Sequence, residues 1–214
     1  MNSNTIDRSR HLRSREHLTQ EEIRKLLAAS RDKKLSRNPE RDYCLLLLMV
    51  RHGLRVSEAC KLKLSDVQIQ DKTLNVKRLK NGTPATHPLY NEEIKAIKDW
   101  MAVRQEMSMD SLTLGAGDTL FISERRTPLS RGIVWVLIQK YAKVAGLEGL
   151  NIHPHMLRHA CGYDLANRGG DTRLIQGFLG HRNIQHTVKY TELDPRRYAS
   201  LYPPDLPERR GARR

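Results

Sequence analysis

The chain has 214 residues, enough for one substantial domain or two small ones, and 38% of them are apolar. Lys and Arg outnumber Asp and Glu by 38 to 24, giving a net charge of +14 and a pI near 10.0. Such an excess favours a polyanionic partner, and the 5% aromatic content argues against a base-stacking platform for single strands or RNA. The longest apolar run, Cys44 to Val50, is too short to span a bilayer. The N-terminus lacks the apolar segment of a signal peptide. The three cysteines, Cys44, Cys60 and Cys161, lie in or beside apolar helical runs and read as buried thiols of a reducing compartment. The expected location is the cytoplasm, associated with the nucleoid.

Residues 1–17 are polar and carry Arg8, Arg10, Arg13 and Arg15. They read as a basic arm, either laid along a DNA backbone through residues such as Arg13 and Arg15 or simply solvated. Thr19 and Glu22 form a capping-box pattern ahead of the apolar face Ile23, Leu26 and Leu27. Pro39 suits the first turn of a second helix, 39–51, which contains CLLLLMV and ends at Gly53. A short helix with Ser57 and Glu58 in its first turn follows. Val67, Ile69, Leu74 and Val76 alternate with polar residues around QDKT and predict two short strands. A third strand, Ala85 to Leu89, is expected after the turn pair Asn81-Gly82.

Asn91 is the expected cap of a long amphipathic helix bearing Ile94, Ile97, Trp100 and Met101. Residues 108–118 read as a loop and Leu120 to Ile122 as a short strand. Ser130 caps a helix ending near Gly146. Two more helices, 155–168 and 171–179, close at Gly169 and Gly180, and a short one starting at Asn183 contains Tyr190. The predicted fold is mainly α with a small antiparallel β-sheet (α+β). Residues 1–37 would form an arm and one helix, 38–200 the main domain, and 201–214 a basic tail.

The stretch from His153 to Tyr190 concentrates His155, Arg158, His159, His181 and Tyr190 at fixed offsets in a helical pattern. Cutting a phosphodiester needs a nucleophile, cations on the non-bridging oxygens and an acid for the leaving oxygen. Arginine clamps phosphate through its planar, always-charged fork, and histidine exchanges protons near neutrality. Tyrosine can attack phosphorus and conserve the bond energy covalently. His153, His155, His159 and His181 have spacings compatible with a metal. However, no carboxylate or cysteine set accompanies them and Arg158 would be repelled, so no metal is expected.

The segments HGLRVSE (52–58), HPHMLRH (153–159) and LGHRN (179–183), with a tyrosine nine residues after His181, resemble the catalytic signature of the tyrosine recombinases, the phage-integrase family. The resemblance covers roughly residues 38–195, and its specificity lies in the joint order and spacing of the pieces. It implies the tyrosine recombinase catalytic-domain fold and an enzyme that cuts and rejoins DNA at specific sites without a cofactor. Arg55 would be the first clamp arginine, supported by Glu58. Lys80 would protonate the leaving 5′-oxygen. His155 and Arg158 match the HxxR box, His181 the fifth site position, and Tyr190 the nucleophile. His159, beside Arg158 on the helix, would be a supporting residue or a buried structural one, while Tyr163 and Tyr198 lack the nucleophile's spacing. Lys77 and Arg78 are expected as phosphate contacts.

Family members usually carry a helical core-binding domain before the catalytic one, and only about 38 residues precede the pattern here. In this respect, and in phrases such as RDYCLLLLMVRHGLR and RLKNG, the chain is similar to small recombinases that invert promoter segments for fimbrial phase variation. The implied partners are double-stranded DNA with inverted-repeat sites, three further protomers in a synaptic homotetramer, and DNA-bending accessory proteins. Rival expectations are an integrase or excisionase of a mobile element, a non-cutting DNA-binding regulator, and a type IB topoisomerase.

Overall fold

Helix α2 (Pro39–His52) is the hub, and its sequence explains why. Cys44 through Met49 are each no more than 1% exposed, so this helix is apolar on every side and must be surrounded. Pro39 occupies its first turn, and Gly53 ends it in the left-handed conformation at φ 56°. The structure, a computed structural model, describes residues 16–78, 82–109 and 117–191.

Around α2 pack α1 (Gln20–Ser30), α4 (Asn91–Met109) and α6 (Pro154–Asn167). Helix α1 begins with the expected capping box. The Glu22 backbone N–H donates to Thr19 Oγ1, and the Thr19 backbone N–H donates to Glu22 Oε2 at 2.7 Å. Its Ile23 and Leu26, with Leu18 before it, enter the same core as α2. Helix α3 (Val56–Cys60) follows α2 directly, and α5 (Arg131–Val144), capped by Ser130, packs against α1 and α3.

The sheet has three antiparallel strands in chain order: β1 (Val67–Gln68), β2 (Thr73–Val76) and β3 (Ala85–Pro88). Its register pairs Leu74 with His87, both buried, and Val76 with Ala85. The inward side of the sheet therefore carries a histidine among aliphatic residues. Residues 77–84 join β2 to β3, and Asn81 of the expected turn pair lies outside the described residues.

Two sequence expectations need correction. Asn91 is the first helical residue of α4 rather than its cap. The Tyr90 carbonyl accepts from the Ile94 N–H, and the Tyr90 N–H donates to Glu93 Oε2 at 2.6 Å, so Glu93 closes the helix start in place of an Asn side chain. Leu120–Ile122 is fully buried but is not a strand. Its backbone bonds singly to Leu62 on one side and Leu129 on the other, leaving only isolated bridges.

Helices α6, α7 (Thr172–Leu179) and α8 (Gln185–Thr191) enclose a second, smaller core of Cys161, Ala166, Ile175, Leu179 and Tyr190. Asp171 caps α7 by accepting from the Leu174 N–H at 2.9 Å, and Gly180 ends it at φ 66°. Asn183 Oδ1 accepts from the Gln185 N–H at 2.9 Å, starting the turn that leads into α8. No helix among the described residues is long and apolar enough to cross a membrane.

Candidate active site

The C-terminal ends of α2 and α7 meet, and their last carbonyls have no helical partners. Two arginines occupy the junction. Arg158 on α6 donates to the Gly53 and Leu179 carbonyls, the latter at 2.6 Å. Arg78, just past β2, donates to the His52 and Phe178 carbonyls. Helix C-termini carry partial negative charge, so the same geometry that satisfies four orphan acceptors also stabilises two buried cations.

Glu58 ties these arginines to a third. Its Oε1 accepts from Arg55 Nη1 at 2.7 Å. Its Oε2 accepts from the Arg55 backbone N–H at 2.9 Å and from Arg78 Nη1 at 2.8 Å, with Arg158 Nη1 at 3.9 Å. Burial pushes the Glu58 carboxyl upward. The Arg55 backbone N–H and the Arg78 and Arg55 guanidinium groups outweigh it, and the carboxyl stays ionised below its ordinary range. One carboxylate thus serves three guanidinium groups. Burial first, then repulsion from Arg55 and Arg78, lowers Arg158 to about 10. The cluster carries an uncompensated positive charge suited to an anion. Arg55, with its side chain 25% exposed, opens this charge to solvent, whereas the Arg158 side chain is only 4% exposed.

Tyr190, on α8, is 5% exposed and lies within the field of Arg158. Its Oη lies 2.7 Å from His159 Nδ1, and its ring stacks at 6.3 Å on His181 and meets Tyr163 edge-on at 5.1 Å. Burial raises the Tyr190 hydroxyl well above its ordinary value, and the positive charge of Arg158 pulls the other way. His181 Nδ1 bonds the buried Thr187 hydroxyl at 2.9 Å. Burial, then Arg158 and Arg55, lowers His181 to about 3. His155 is solvent-exposed, 6.4 Å from His159 between ring centroids. It too is lowered, by partial burial first and then by His153 and Arg158. These histidines are therefore neutral hydrogen-bonding groups at neutral pH.

The structure thus gathers Arg55, Glu58, His155, Arg158, His159, His181 and Tyr190 in one place. Lys80, Arg13 and Arg15 lie outside the described residues. Lys77 is exposed and pairs with Asp66 at 2.7 Å. Arg78 departs from expectation: its side chain is 0% exposed, its two η nitrogens bond Glu58 and two helix-end carbonyls, and its buried Nε has no partner, so no donor of it faces a DNA backbone. Sequence reasoning also missed Lys189 and Glu16. Lys189 Nζ sits 3.4 Å from His159 Nε2 and 3.2 Å from Glu16 Oε2. A lysine next to the tyrosine gave only a weak cue, and Glu16, 173 residues away, gave none. Among the described residues no three His, Cys, Asp or Glu side chains are grouped to hold a metal ion.

A second missed feature adjoins the site. His87 Nε2 faces the Phe178 carbonyl at 3.1 Å, so it must be the protonated nitrogen. His87 Nδ1, at 3.2 Å from His52 Nδ1, is then the acceptor of that pair. His52 Nε2 is left with its lone pair toward Glu93 Oε1 at 3.5 Å. Burial raises the Glu93 carboxyl and lowers His52 to about 3 and His87 to about 4.

Comparison with known proteins accords with this geometry. The phage integrase family matches residues 16–197. Type 1 fimbriae regulatory protein FimB of Escherichia coli strain K12 is 43% identical over 190 residues, covering 89% of this chain and 90% of FimB. Type 1 fimbriae regulatory protein FimE of the same strain is 46% identical over 165 residues, covering 76% of this chain and 79% of FimE. The crystal structure of XerH site-specific recombinase bound to difH substrate, a pre-cleavage complex, aligns with a TM-score of 0.70 at 25% identity. That alignment covers 87% of this chain and 53% of XerH, so the chain spans about half the length of that recombinase. The chain belongs to the phage integrase family of tyrosine recombinases.

Proposed function

We propose that the protein is a site-specific recombinase that cuts and rejoins DNA through a 3′-phosphotyrosine on Tyr190, and that it inverts a promoter segment to switch fimbrial or other surface-structure genes. The observation that carries the chemistry is the Tyr190 hydroxyl held against His159, with the Tyr190 ring beside His181 and within the field of Arg158, next to an arginine cluster lacking enough negative charge. A scissile phosphate supplies the missing anion. Arg55, Arg158, His155 and His181 hold the charge that grows on its oxygens in the transition state. The Tyr190 oxygen, its proton passed to water, bonds to phosphorus as the P–O5′ bond breaks, and Lys80 protonates the departing 5′-oxygen. Because one phosphoester replaces another, no nucleotide hydrolysis is needed. The freed 5′-hydroxyl then attacks the partner strand's phosphotyrosine and restores the tyrosine.

The similarity to two type 1 fimbriae regulatory proteins over most of their length supports inversion as the outcome. The XerH complex with difH supports duplex DNA as the partner. In this reading four protomers pair two inverted-repeat sites, DNA-bending proteins assist the synapse, and the enzyme works on the nucleoid. Affinity rests on phosphate contacts, including Lys77 and the N-terminal arginines Arg13 and Arg15, and falls with salt. The test is inversion in cells of a segment taken from beside the protein's own gene, read by orientation-specific amplification. Wild type should yield both orientations and Tyr190→Phe one. Inversion by Tyr190→Phe, or excision without inversion by wild type, would reject the proposal.

A further inference from the structure

The position of one hydrogen on His159 follows from its neighbours. Lys189 Nζ stands 3.4 Å from His159 Nε2 and 5.5 Å from the centroid of the Tyr190 ring. An ammonium has three donors and no acceptor, so Nε2 can join that contact only through a bare lone pair. Burial, and next the Lys189 charge, lowers His159 to about 4, which makes it neutral at physiological pH. A neutral imidazole carries one hydrogen, and here it must be on Nδ1. Nδ1 is 2.7 Å from Tyr190 Oη, so the ring donates to the phenolic oxygen. The opposite tautomer would aim an N–H at an ammonium and make Nδ1 the acceptor.

We propose that Lys189 and His159 are positioning residues for Tyr190: Lys189 fixes the His159 tautomer, and His159 holds the phenolic oxygen by donating a hydrogen bond to it. His159 neither gains nor loses a proton in this role. It keeps the hydroxyl hydrogen of Tyr190 directed away from itself and favours the oxygen once that hydrogen is gone, because a donor stabilises the charged form. Glu16 anchors Lys189 at 3.2 Å from the segment that leads into α1. His159 is thus distinct in function from His155 and His181, which face the phosphate in the proposed chemistry. The inference rests on the reading of Tyr190 as nucleophile.

Two measurements on the full chain test it. Long-range proton–nitrogen spectra of protein labelled in its histidine rings report the tautomer, with His159 assigned by its loss in His159→Asn. Wild type should show the Nδ1–H form, and Lys189→Met should shift it toward Nε2–H. An Nε2–H form in wild type, or a tautomer indifferent to Lys189→Met, would overturn the proposal. The second is the single-turnover rate of adduct formation on a nicked site at saturating protein. Lys189→Met should be slower by about tenfold, the effect of one hydrogen bond of ordinary net strength. His159→Leu should be at least as slow, and His159→Asn, whose amide nitrogen replaces Nδ1, should recover most of the rate. Equal rates for His159→Asn and His159→Leu, or a Lys189→Met defect confined to DNA affinity, would overturn it as well. The spectra need no DNA, so failure of Tyr190 as nucleophile would be seen separately, as an adduct that persists in Tyr190→Phe.

Discussion

The ring of Tyr190 lies where a side chain on Gly162 would be. A Cβ built on Gly162 falls 2.7 Å from both Cε2 and Cζ of that ring, closer than carbon atoms approach. Gly162 lies within α6, where glycine weakens a helix by roughly 0.5–1 kcal/mol relative to alanine. Its presence there is explained by the tyrosine packed against it. Gly162→Ala should therefore displace Tyr190 from His159. Overpacking of about 1–3 kcal/mol, partly offset by helix propensity, should lower stability only modestly, while adduct formation falls much further. Urea unfolding and a cleavage assay on the same preparation check both parts.

Arg55 is the clamp arginine best suited to a clean test, because its side chain is partly exposed and holds no helix end. Arg55→Ala should reduce cleavage by about 10²–10³, the usual effect of losing one transition-state donor, and leave the fold intact. Gel-shift affinity and thermal unfolding should change far less than the rate.

Arg78 should behave in the opposite way. It is buried against Glu58, and removing one partner of a buried pair costs about 3–5 kcal/mol. Arg78→Met should lower the urea midpoint strongly. The slope of log affinity against log salt should stay unchanged, because that slope counts phosphate contacts. A slope smaller by about one, with stability retained, would instead restore Arg78 to the DNA interface.

Acid should loosen the protein before its carboxylates titrate. His52 and His87 are 2% and 1% exposed, with folded values of about 3 and 4 against an unfolded value near 6.5. The unfolded chain binds more protons in that interval. Their contribution is therefore fully present above about pH 6.5 and is lost as pH falls toward 4. Glu93, raised by burial, works in the opposite sense and softens the loss. The charge of Arg78 beside His87 is, after burial, a cause of its low value. The unfolding free energy from urea titrations should decline between pH 7 and 5 by an amount on the order of a few kcal/mol, and the double variant H52L/H87L should reduce that decline, with His159 and His181, lowered to about 4 and about 3, supplying the rest.

Much of this was legible in the amino-acid sequence where a local rule applied. The Thr19–Glu22 box, Pro39, Gly53, Ser130 and Gly180 mark helix ends within a few residues of their partners, and the helices begin and stop there. The spacing around His155, Arg158, His181 and Tyr190 singled out residues that the fold gathers. What escaped depends on distant partners. Arg78 reads as a surface cation because Glu58 and Phe178 lie 20 and 100 residues away. Asn91 reads as a cap because nothing local shows that Glu93 performs that service. Leu120 to Ile122 has strand composition, but its neighbours on the two sides supply only single bonds.

The most direct measurement of the central claim is covalent capture. Labelled duplex from beside the protein's own gene, nicked near the crossover so that the cut strand diffuses away, is incubated with protein in EDTA and resolved under denaturing conditions. The account predicts a protein–DNA adduct whose peptide carries the 3′-phosphate on Tyr190 and which is absent with Tyr190→Phe. An adduct on another residue, or cleavage undiminished in Tyr190→Phe, would contradict it.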